Sequence, residues 1–133
     1  MSEIFAALFL GHLVGDFPLQ NLAMMLGKSK KGLEGHLWCT LHCLFYTAAV
    51  CLFLYWFVGI ADPAVAIAVF ASHWPIDRWS LADKWMKLIG SRRPGTVYRN
   101  KEIDAAFYAA VYIGTDISLH LAPLWFALHY FGF

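Results

Sequence analysis

Residues 4–20 read Ile4-Phe5-Ala6-Ala7-Leu8-Phe9-Leu10-Gly11-His12-Leu13-Val14-Gly15-Asp16-Phe17-Pro18-Leu19-Gln20. An apolar run carries one imidazole and one carboxylate four residues apart. On a helix, positions i and i+4 share a face one turn apart, so His12 and Asp16 are expected to act as a pair. The same spacing recurs in His73 with Asp77 and in Asp116 with His120, each inside its own apolar stretch. An ionised carboxylate at the centre of a bilayer costs roughly 2.5–3.5 kcal/mol, and three cost on the order of 8–10 kcal/mol. A bound metal, a proton or the histidines themselves are the compensators open to so small a chain.

Composition widens this reading to the whole chain. Of 133 residues, 60% are hydrophobic and 14% charged, with a mean hydropathy of +0.56. Soluble domains are closer to 45–50% apolar and 25% charged. The expected fold class is all-α, an integral membrane four-helix bundle forming a single transmembrane domain over residues 1–133. At roughly 20 residues per span, the apolar stretches place spans at 4–26, 37–61, 64–81 and 105–131. An amphipathic extension is expected to continue the third to residue 89. The start, Met1-Ser2-Glu3, has no basic region and no small-residue cleavage site follows it. The first run is therefore expected to be a retained span rather than a signal peptide.

Lys28, Lys30 and Lys31 fall in the first connection, and Arg92, Arg93, Arg99 and Lys101 in the third. The positive-inside rule puts loops 27–35 and 90–102 in the cytoplasm and both termini outside. A net charge of +1 with no basic stripe gives no reason to expect nucleic acid as a partner. The membrane lipid bilayer is the expected partner, and oligomers are open. Cys39, Cys43 and Cys51 share one apolar segment without a CxxC motif, which reads as buried thiols.

Orientation orders the pairs. With alternating spans, each histidine lies nearer the outer face and each carboxylate nearer the cytoplasm. That predicts an outer layer of His12, His73 and His120 and an inner layer of Asp16, Asp77 and Asp116, near mid-bilayer, with His42 added by the second helix. Mixed imidazole and carboxylate donors suit a divalent metal, Zn first and Mn or Fe next, with Ni also compatible. Metal-carboxylate bundles project acid and His pairs inward in this way. The candidate metal ligands are His12, Asp16, His42, His73, Asp77, Asp116 and His120. The candidate catalytic residues are Asp16, Asp77 and Asp116, any one of which can serve as a general base toward water.

Other residues read differently. Gly11 and Gly15 form a GxxxG pair suited to close helix approach. Pro18, Pro75 and Pro123 each remove an amide donor and are expected to free the carbonyls of Val14, Ala71 and Leu119. His36 and His129 read as interface residues, and Arg78 as a snorkelling side chain. Gln20, one turn below Asp16, is a residue that can orient a ligand or substrate.

The string Gly11-His12-Leu13-Val14-Gly15-Asp16-Phe17-Pro18-Leu19-Gln20 resembles the opening His-x-x-Gly-Asp-Phe-x-Leu-Gln motif of small bacterial and phage membrane proteins grouped as domain of unknown function 3307. His42, Ser72-His73-x-x-x-Asp77 and Asp116-x-x-x-His120 resemble its later motifs. Where that family has Asp-Gln-x-x-His, this chain has Asp116-Ile117-Ser118-Leu119-His120, so no role for the glutamine carries over. The pattern is similar to that of membrane-bound metal-dependent hydrolases of the bacterial inner membrane. By that analogy the resemblance implies a metal site and hydrolytic chemistry.

Four functions follow as expectations. The first is a metal-dependent hydrolase acting on a lipid or lipid-linked phosphoester. The second is a metal-ion or proton transport or relay protein, because acid–His chains in membranes form relays. The third is a b-type haem protein, against which the paired carboxylates argue. The fourth is a structural or regulatory membrane subunit.

Overall fold

A computed structural model describes residues 2–89 and 100–130. They are all-helical, with six helices: α1 (Ser2–Asp16), α2 (Leu22–Lys28), α3 (Gly32–Val58), α4 (Pro63–Arg78), α5 (Leu81–Leu88) and α6 (Lys101–Tyr130). Arg92, Arg93 and Arg99, on which much of the third loop's charge rests, lie outside the described residues, as does Phe131 at the end of the fourth expected span.

The helix ends follow local chemistry. The expected first helix over 4–26 is broken: α1 stops at Asp16. Pro18 disfavours helical backbone at the residue before it, and a new helix starts where the Asn21 side chain accepts from Met24 N at 2.9 Å. The Val14 carbonyl, expected to be freed by Pro18, accepts instead from Leu19 N at 3.2 Å. At the other end of the molecule, α3 closes on Gly59 in the left-handed region (φ 70). Asp62 then caps α4, accepting from Ala64 N at 2.8 Å, with Pro63 at the first helical position, where its missing N–H costs nothing. The expected continuous extension of the third span is interrupted. Ser80 takes a positive φ of 49, and α5 starts afresh as a separate short helix.

The four longer helices close a ring in which α1 packs on α3, α3 on α4, α4 on α6 and α6 on α1; α2 lies on α3 and α5 on α6. Leu8, Tyr46, Val50, Leu54, Val69 and Leu121 are among the buried residues that fill one end of the ring. The tightest contact is between α1 and α3, which run antiparallel. A Cβ added at Gly11 would stand 2.7 Å from Val50 Cα, and one at Gly15 would stand 2.7 Å from Tyr46 Cδ2. Backbone cannot yield at Val50, so Gly11→Ala is expected to destabilise the fold by about 1–3 kcal/mol, the usual cost of overpacking. Denaturant titration in detergent would read this directly, and an unchanged midpoint would contradict the contact.

Two helices, α3 (27 residues) and α6 (30 residues), are long and apolar enough to cross a membrane. Only 33% and 22% of their most apolar windows are buried, so most of that apolar surface faces outward.

Candidate metal centre

The ring brings the three i,i+4 pairs and His42 to one place. Asp16 is the last residue of α1 and Asp77 the last but one of α4, so these two carboxylates lie at helix ends. For Asp16 the cause is the break at Pro18, where a continuous helix was expected. The four site imidazoles are all at most 1% exposed, while the carboxylates keep a little access, at 12%, 7% and 21% for Asp16, Asp77 and Asp116.

His42 stands between the first two carboxylates. Its Nε2 is 3.2 Å from Asp16 Oδ1, 3.1 Å from Asp77 Oδ2 and 3.1 Å from His73 Nε2. His73 Nε2 is 3.7 Å from Asp16 Oδ1 and 3.5 Å from Asp77 Oδ2. On the other side, His12 Nδ1 is 3.4 Å from Asp16 Oδ2, and the His12 and His120 rings are 5.3 Å apart. Among the described residues three donor groups result, each with its ligand atoms within 4.8 Å of one another: His12, Asp16, Asp116 and His120; Asp16, His42 and His73; and His73, Asp77 and His120. Ligand atoms about 2.0–2.2 Å from one ion lie roughly 3.0–3.5 Å apart, which is close to the spacings around His42.

His120 is the most informative member. Its Nδ1 lies 2.8 Å from the Asp116 carbonyl oxygen. A carbonyl only accepts, so Nδ1 carries a proton and donates. In the neutral ring Nε2 is then a lone pair, and a main-chain carbonyl holding Nδ1–H is how metal-ligating histidines are oriented. That Nε2 is buried with no hydrogen-bond partner. Nε2 faces Asp77 Oδ1 at 3.7 Å. Two electron-rich atoms facing each other in a buried site require a proton or a cation between them. The residues therefore fit a divalent metal. The Nδ1 atoms of His42 and His73 also lack partners, so no second hydrogen bond sets their tautomers.

Tyr46 and Lys28 were not singled out for the site by sequence, whereas Gln20, expected to orient a ligand or substrate, was. Tyr46 is fully buried, stacks on His73 at 3.6 Å between ring centroids, and places its hydroxyl 3.2 Å from His12 Nδ1. Its only sequence signal is its place one turn after His42. Lys28, read as a topology residue, turns inward, its Nζ donating to Asp77 Oδ2 at 2.6 Å. Gln20, in the amide orientation that suits both neighbours, accepts from Lys28 Nζ at 2.6 Å and donates to the Asp16 carbonyl at 3.2 Å. Beside the cluster lies a partly open cavity of about 280 Å³, lined by residues that include Asp16, Gln20, Lys28, Asp77 and Asp116.

His36 stays out of the site. It stacks on Trp74 at 5.7 Å and accepts from Arg78 Nε at 3.2 Å, which gives Arg78 a partner. His129 stacks on Trp125 at 5.7 Å. Cys39 and Cys43 are buried free thiols in none of the donor groups, and Cys51 is free and half-buried.

No curated protein and no solved structure matches this chain. The family model described as "Protein of unknown function (DUF3307)" matches residues 4–130, nearly the full length, including all seven candidate ligands. The chain belongs to the DUF3307 family.

Proposed function

We propose that this chain is an integral membrane protein, a four-helix membrane bundle forming one domain over residues 1–133. In this reading it holds a divalent metal, Zn foremost with Mn or Fe as alternatives, and hydrolyses a lipid or lipid-linked phosphoester. The observation that carries the metal is the buried, unpartnered His120 Nε2 opposite Asp77 Oδ1. The membrane reading is supported by where polar and apolar side chains lie. Four histidines are buried beside an apolar core, while Leu37, Leu41, Leu44, Phe45, Leu52 and Trp56 expose an apolar face along α3. Patches of this extent mark interaction with lipid or protein.

At 1.5 Å per residue α1 and α4 are about 22–24 Å long, shorter than a bilayer core of about 30 Å. Local thinning accommodates such helices at modest cost. The short α5 suits the interface, with Lys84 and Lys87 exposed on one side and Ala82 and Met86 buried on the other. Placing loops 27–35 and 90–102 in the cytoplasm and both termini outside puts Asp16, Asp77 and the cavity at the cytoplasmic ends of α1 and α4. Substrate would then enter from that interface.

A divalent cation supplies Lewis acidity toward a phosphoryl or carbonyl oxygen and lowers the pKa of water. The protein's own groups divide the remaining work. His12, His42, His73 and His120 would hold the metal with Asp16 and Asp77, in the donor groups described above. Asp116, the most exposed of the three acids and on the cavity wall, is placed to take a proton from an attacking water. The burial of the four imidazoles keeps bulk water out. The close approach of His42 and His73, 3.1 Å between Nε2 atoms, leaves no room for a porphyrin and its iron between them.

The test is elemental analysis of detergent-purified protein, followed by turnover assays across membrane lipid classes. One or two Zn, Mn or Fe per chain with release of a lipid headgroup is the expected result. A folded protein that retains and reloads no metal overturns the reading.

A further inference from the structure

We infer that Lys28 is an oxyanion-binding residue of this site, exchanging Asp77 for a phosphoryl oxygen of the substrate when the metal is bound. The inference rests on the proposed metal site and names the chemistry of the group that enters it.

Lys28 is held where it is by construction. The break at Pro18 makes room for α2, and Gly27 lets that helix press on Trp38. A Cβ at Gly27 would stand 2.3 Å from Trp38 Cγ. The lysine stem is thereby aimed over the ends of α1 and α4, and the side chain, 19% exposed, lies on the cavity wall.

Its partner is contested. Asp77 Oδ2 receives Lys28 Nζ at 2.6 Å, yet the same oxygen faces His42 Nε2 at 3.1 Å and His73 Nε2 at 3.5 Å. With a cation held by those imidazoles, Asp77 would turn to it and the ammonium beside it would be repelled. Charge then decides what Lys28 does. With neutral imidazoles, the three site carboxylates and one ammonium leave two negative charges. One divalent ion brings the site to zero and frees Lys28 for an anion, and two bring it to two positive charges, matched by a phosphate dianion.

The cavity favours the same kind of guest. Gln20, Ser29 and Ser80 offer polar contacts beside Lys28, while Phe17 and Met25 form an exposed apolar rim. Lysine binds phosphate as a point charge without demanding a planar fork. An anionic head with an apolar tail satisfies both surfaces, so a phospholipid headgroup and free phosphate share the relevant chemistry.

The experiment uses the full chain in detergent, loaded with Mn, as wild type, Lys28→Met and Lys28→Arg. Metal per chain is measured first. Binding of inorganic phosphate and of a short-chain phosphatidic acid is then titrated by ³¹P line broadening, which reads proximity to the metal without requiring turnover. Lys28→Met is expected to keep its metal and to bind both probes at least about tenfold more weakly, with partial recovery in Lys28→Arg. Tighter binding of phosphatidic acid than of phosphate assigns the lipid as the source, and equal binding assigns the free anion. Metal retained with probe binding unchanged overturns the role of Lys28 and leaves the metal site standing. Metal lost only in Lys28→Met makes Lys28 a support for Asp77 and also overturns it. A wild type without metal overturns both proposals together.

Discussion

Asp16→Ala is expected to empty the proposed metal centre, leaving less than about a tenth of an ion per chain where the parent is expected to hold one or two. Asp16 is the one carboxylate common to two of the three donor groups. Its Oδ2 faces His12 on α1 itself, and its Oδ1 faces His42 from α3 and His73 from α4. Removing it takes a charged donor from both groups at once. Loss of an outer partner of a metal ligand costs about 10–100-fold in affinity, and a direct ligand shared by two groups should exceed that range. Asp16→Asn keeps the shape and removes the charge, which separates a lost ligand from a lost fold. His36→Ala, on α3 but outside the site, should retain its metal. Equal metal content in Asp16→Ala and the parent would refute the assignment.

Tyr46→Ala is expected to be the most damaging change to stability, at about 3–5 kcal/mol, the cost of truncating a fully buried aromatic. The ring fills the space under Gly15, where the α1–α3 contact is tightest, and supports the His73 imidazole from one face. Tyr46→Phe isolates the hydroxyl. It should cost only about 1 kcal/mol in stability but about tenfold in metal affinity, because the hydroxyl is one of two groups facing His12 Nδ1. Denaturation and metal titration of the two variants, run side by side, read the two roles separately. A Tyr46→Ala protein as stable as the parent would show that the α1–α3 contact does not depend on the ring.

The helical class and the grouping of acid and histidine were legible because spacing of four on an apolar helix has one geometric meaning. His12 with Asp16, His73 with Asp77 and Asp116 with His120 each lie on one face whatever the surroundings. What joins the pairs is tertiary and was harder to read. Tyr46 is one of six tyrosines, and nothing in its neighbours separates a core ring from an interfacial one. Lys28 sits in a run with Lys30 and Lys31, where charge alone cannot show which side chain turns inward. The first helix was extended past its end because Pro18 reads equally as a kink or a stop. Capping by Asn21 decides for the stop, and with it the place of Asp16 at a helix end.

The site's members are spread across the chain, from His12 near one end to His120 near the other. Contacts of such long sequence separation pay their loop-closure entropy before they return any stabilisation. During synthesis, α1 is made before any of its histidine partners on α4 and α6 exists. Asp16 has His12 beside it from the start, gains His42 with α3 and His73 with α4, and the ring closes when α6 arrives. The arrival of α6, which brings Asp116 and His120, is then what completes the donor set.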